Sequence, residues 1–115
     1  VYDYPTPRNA PAKFIGFGIA GPWLFKAFKA HEIPESLWIS LSDYLFEWLA
    51  SVLIDLAGKI PNFHVISNTR QTLVRAKLGE AGVSGDWLNE IHPTATGYEK
   101  LADVVSPELH LLLYP

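Results

Sequence analysis

One apolar period constrains this chain more than any other feature. Between Pro34 and Ala57, Leu37, Leu41, Tyr44, Leu45, Trp48, Leu49, Val52 and Leu56 recur at three- and four-residue steps. That spacing lays them along one face of a helix. Asp43, Glu47 and Ser51 are spaced to line the opposite face, and Gly58 supplies a C-terminal stop. Asp43, Glu47 and Asp55 interrupt the apolar run, so the segment does not read as a membrane span. Only 18% of the residues are charged against 49% hydrophobic. Such a surface predicts an apolar face covered by something beyond the helix itself.

The remaining pattern predicts an alternation of strands and helices. Val1–Tyr4 reads as the end of a buried strand, stopped by Pro5 and Pro7. Arg8–Gly21 reads as a long loop, and Pro22–Phe28 as a short helix with Pro at its first position. Phe63–Ile66 is a second strand, Asn68–Leu78 a turn followed by a weak helix, and Gly79, Gly82 and Gly85 mark a loop. Thr94 caps a last helix whose apolar face is Tyr98, Leu101, Ala102 and Val105. Pro107 ends or kinks it, and Leu109–Tyr114 forms an apolar tail that packs down.

This order predicts an α/β fold with a parallel sheet. Two strands cannot complete such a sheet. The expectation is therefore a single partial domain over residues 1–115, completed by an absent N-terminal half or by self-association. The start at Val1 inside a strand-like run, with no methionine anywhere, fits a fragment or a processed chain.

Composition narrows the chemistry. A net charge of −3 provides no basic footprint, so nucleic acid is not an expected partner. The absence of cysteine removes thiolate and disulfide chemistry. His31, His64, His92 and His110 show no i, i+4 pairing, so neither a metal nor another cofactor is called for.

The chemistry-bearing stretch is Asp86-Trp87-Leu88-Asn89-Glu90-Ile91-His92-Pro93-Thr94. It sets one imidazole on a loop directly before a helix, with acid and amide side chains within six positions upstream. Pro93 restricts the His92 backbone towards extended conformations. An imidazole held this way can move protons near neutral pH, provided a neighbour fixes its tautomer.

The Trp87–Thr94 block, followed by Gly97-Tyr98 and Leu101-Ala102, resembles the last conserved block of SGNH (GDSL-like) hydrolases. Tyr2–Pro7, Gly21–Leu24 and Thr69–Leu73 also resemble a subgroup of that family. The resemblance covers most of the chain, but only as the C-terminal half of such an enzyme. It implies a three-layer, flavodoxin-like sandwich, a small-molecule ester substrate, and His92 as the base that activates a serine. The family's acid normally stands three residues before this His, where this chain has Asn89. An amide can orient the ring but cannot stabilise an imidazolium as a carboxylate does. Asp86 is the favoured source of that charge. Glu90 is the other candidate, or is left to face solvent or meet Lys100, or the site works with the amide alone.

Asp3 is expected to touch substrate or to cap a turn, and Trp87 to wall the pocket. Arg70 is expected to pair with a loop carboxylate such as Asp86. No Gly-Asp-Ser motif is present, and Ser84, in Gly82-Val83-Ser84-Gly85, lacks the strand and helix of a nucleophile elbow. The chain should therefore supply the His loop of a serine ester hydrolase without its nucleophile, and be inactive alone. The alternative is a non-catalytic binding or assembly module.

Overall fold

A computed structural model describes residues 1–115. Its only sheet is a two-stranded antiparallel hairpin, β1 (Ala12–Phe14) and β2 (Phe17–Ala20). Three helices follow: α1 (Leu24–Ala30), α2 (Trp38–Ala57, entered through a 3₁₀ turn at Glu35–Leu37) and α3 (Ala95–Leu113).

The parallel, flavodoxin-like sheet is thus corrected: no two parallel strands pair, and the hairpin lies inside the stretch read as a loop. Val1–Tyr4 and Phe63–Ile66 are not strands. They meet at one end only, where the Val1 ammonium donates to Ile66 O at 2.5 Å and Thr69 Oγ1 donates to Val1 O. Without a continuous ladder, neither segment becomes a strand.

The hairpin turns on Ile15-Gly16, both with positive φ (46° and 80°). That is the handedness a two-residue hairpin turn requires. Pairing runs Ala12↔Ala20, Lys13↔Gly18 and Phe14↔Phe17, with an irregularity beside Ala12 that leaves Ile19 unpaired.

The weak helix expected within Asn68–Leu78 is absent. The Asp3 carboxylate takes its place as organiser, accepting the N–H groups of Tyr4, Gln71 and Leu73 at 2.7–2.8 Å. These bonds fold residues 69–73 around it as turns. The apolar tail is also corrected: α3 runs through Pro107 to Leu113 and leaves Leu111, Leu113 and Tyr114 exposed.

α2 forms where the periodicity predicts it. By length and composition it could cross a membrane, yet side-on contacts tie it to the rest of the chain. Arg75 clamps Asp43 with two bonds of 2.9 and 2.6 Å, Ser42 Oγ donates to Pro5 O at 3.1 Å, and Arg70 pairs with Glu47. That last pairing corrects the expected Arg70–Asp86 pair.

Apolar packing is sparse. Leu73, Ala76 and Trp87 form the hydrophobic cluster, with Leu101 of α3 against it. Nine buried polar or charged residues outnumber seven buried hydrophobic ones. The chain is held as a hydrogen-bonded junction more than as an oil-filled core. The solvent-accessible surface is 7426 Å² for 12.8 kDa, against roughly 6,300 Å² for a compact fold of that mass. The radius of gyration of 15.7 Å likewise exceeds the approximately 13 Å of a compact domain of this length. Much of α2's apolar face, including Tyr44, Trp48 and Leu49, is open.

A candidate general-base site on the His92 loop

The loop before α3 is folded by its own backbone. Ser84 and Trp87 exchange N–H···O bonds of 3.0 Å, Thr94 N donates to Asp86 O at 2.8 Å, and Leu88 N donates to His92 O at 2.9 Å. Thr94 caps α3, its Oγ1 accepting Gly97 N at 3.1 Å. Gly97 permits this closure: a Cβ there would lie 2.6 Å from Asp86 O and 2.9 Å from the Pro93 side chain. Gly85 is equally constrained, with φ +55° and a hypothetical Cβ 2.4 Å from Val74 O.

Asn89 is buried and directs its Oδ1 at three groups. The Ile91 and His92 N–H groups donate to it at 3.1 and 2.9 Å, and His92 Nδ1 lies at 3.0 Å. Two backbone donors identify that atom as the amide oxygen, an acceptor only. His92 Nδ1 must therefore carry a proton to bond with it. The neutral ring is then the Nδ1–H tautomer, with a lone pair on Nε2. Nε2 makes no hydrogen bond within the chain and is not among the buried polar atoms that lack a partner. It is open to a ligand.

The ring faces a cleft of about 440 Å³. Pro11, Ala12 and Lys13 line it from the hairpin side, and Leu88, Pro93 and Tyr98 from the loop and α3. The Trp23 indole stands edge-on to the imidazole at 5.6 Å between ring centres. No serine, threonine or carboxylate lines the cleft.

The other candidate residues do not converge on the ring. Asp86 does not supply His92 with charge, because its Oδ2 accepts Val74 N and Lys100 Nζ, each at 2.7 Å. Glu90 neither faces solvent nor meets Lys100. It is fully buried, accepting Arg8 N (3.1 Å), Leu24 N (2.9 Å), Phe25 N (2.6 Å) and Trp23 N. Trp87 is core rather than cleft wall, at 1% exposure. Asp3 is buried and its carboxylate is occupied by the backbone donors described above. Ser84 is buried too, its Oγ accepting Lys77 N at 2.9 Å.

Sequence reasoning missed Arg8. Its buried guanidinium donates to the carbonyls of Glu80, Gly82, Trp87 and Asn89 and so closes the loop from behind. Partners 72–81 positions away leave no local signal.

Asp86 gives the site a pH limit. The Lys100 hydrogen bond, then the Val74 N–H, hold its carboxyl below the ordinary value of 3.8. A carboxyl lowered by folding stabilises the fold above its unfolded value and loses that contribution as pH falls through its folded value. The melting temperature of the wild type should therefore exceed that of Asp86→Asn above about pH 4. The gap should close as the pH falls below 3.8. A gap that persists unchanged at low pH would contradict this role.

Comparison with protein-family models, with curated proteins and with solved structures returned no match. No group of three or more His, Asp or Glu side chains converges as a metal site would require.

Proposed function

We propose that this chain supplies the general base of a serine ester hydrolase, with the nucleophile on polypeptide outside these 115 residues. The observation that carries the reading is the His92–Asn89 pair, which leaves Nε2 as a free base at an open cleft. The resemblance of Trp87–Thr94 to the His block of SGNH hydrolases supports it. So does the excess of exposed apolar surface, which suits a chain that docks on further protein.

The chemistry is acyl transfer. Nε2 accepts the serine proton as its oxygen attacks the ester carbonyl, and the imidazolium returns that proton to the departing alkoxide. Water then hydrolyses the acyl-serine by the same exchange. Asn89 holds the ring through both steps. Without a carboxylate behind it, the imidazolium gains orientation but little charge stabilisation.

The test is covalent trapping with a fluorophosphonate, which labels activated serines. The longer protein that contains this chain should be labelled on a serine outside these residues, with label and short-chain ester hydrolysis both lost in His92→Ala. The 115-residue chain alone should take no label. Labelling that persists undiminished in His92→Ala would overturn the proposal. Complete absence of labelling and of hydrolysis would favour a binding or assembly module.

A further inference from the structure

The hairpin, with the short helix α1 following it in the chain, carries an unusual set of side chains. Phe14, Ile15, Phe17 and Ile19 are 65–80% exposed and project from the hairpin into solvent. Trp23, just beyond, is 36% exposed. Residues 9–30 hold three lysines, Lys13, Lys26 and Lys29, and no carboxylate, in a chain whose net charge is −3. All three lysines are exposed and none forms a salt bridge within the chain. A two-stranded hairpin with four large apolar side chains in water has little reason to stay so without a cover.

We propose that this segment docks on an anionic lipid surface, with the hairpin's apolar side chains among the acyl chains and the lysines at the headgroups. The charge decides the occupant. Apolar side chains flanked by cations and an interfacial tryptophan suit an acidic bilayer face. The open face of α2 does not, because it lies on a helix that carries Asp43, Glu47 and Asp55. Ala12 and Lys13 belong both to β1 and to the His92 cleft. A chain docked this way holds that cleft at the surface, which points to esters presented by lipid as substrates. That last step rests on the ester-hydrolase reading; the docking does not.

Vesicle flotation of the 115-residue chain tests the docking without any hydrolysis. Vesicles of phosphatidylglycerol with phosphatidylcholine should retain the chain at least tenfold more strongly than phosphatidylcholine alone, since each lysine at an anionic surface contributes roughly a fivefold gain. Added salt should weaken the retention. Phe14→Ser/Phe17→Ser should lower it at least about tenfold, and Lys13→Glu/Lys26→Glu at least about 25-fold, each with an unchanged circular dichroism spectrum. Trp48→Ser, on the open face of α2, should leave it unaltered. The proposal is overturned by equal retention on both vesicle types or by hairpin variants that float like the wild type. Loss of retention in Trp48→Ser would also overturn it. Hairpin variants that abolish self-association in sedimentation without altering flotation would give the surface to a second copy instead.

Discussion

On the ester-hydrolase reading, His92→Ala should lower kcat on the order of 10⁶-fold in any assembly that joins this chain to its nucleophile, the loss typical when the base of an acyl-transfer pair is removed. The ring has no substitute. No carboxylate or second imidazole lines the cleft. Asn89→Ala produces a smaller loss, on the order of 10³-fold, because it removes orientation and tautomer control but leaves the base. Asn89→Asp preserves every hydrogen bond that Oδ1 accepts and adds a charge facing the imidazolium, so its activity should at least match the wild type. Steady-state kinetics on the three variants check this order. Equal losses in His92→Ala and Asn89→Ala would indicate that both act by collapsing the loop.

The largest structural effect is expected at Glu90. Its buried carboxylate serves four backbone N–H groups drawn from Arg8 and residues 23–25, so one side chain joins the His loop to the entry of α1 and to the Arg8 strap. Burial pushes the Arg8 guanidinium below its ordinary range, and the charge of Glu90 opposes that shift. Removing Glu90 leaves these backbone N–H groups without their acceptor, at a cost of about 1–3 kcal/mol for each that water cannot reach. Typical domains have only about 5–15 kcal/mol in total, and the hydrophobic cluster here is three residues. Glu90→Ala should therefore lose most of its cooperative urea transition. Glu90→Gln, which keeps the shape and one acceptor oxygen, should fall between. A Glu90→Ala midpoint within error of the wild type would show that the junction is held elsewhere.

Features encoded within a few residues were legible from sequence. The helical period of α2 and the Thr94 cap of α3 are local, and both stand where their residues predict. The Asn89–His92 relation was suggested by the resemblance, which puts the ring's partner three residues upstream, where this chain has Asn89. The hairpin was hidden because its turn is Ile15-Gly16, where the usual signal is Asn-Gly or Asp-Gly, and because strands of three and four residues are too short to show an alternation. α3's passage through Pro107 ran against the expectation that proline ends a helix. The destinations of Asp3, Asp86 and Glu90 were decided by distant backbone donors or by Lys100, none of which a local pattern reveals. Charged groups placed beside a histidine in sequence are here the posts that hold its loop.

Asn89 holds His92 as the Nδ1–H tautomer with a free Nε2. Nitrogen-resolved NMR of the His92 imidazole, at a pH where the ring is neutral, measures this directly. The wild type should show a protonated Nδ1 and a lone-pair Nε2, and Asn89→Ala a mixture of tautomers. A wild-type ring with its proton on Nε2, or a mixture indistinguishable from that of Asn89→Ala, would contradict it.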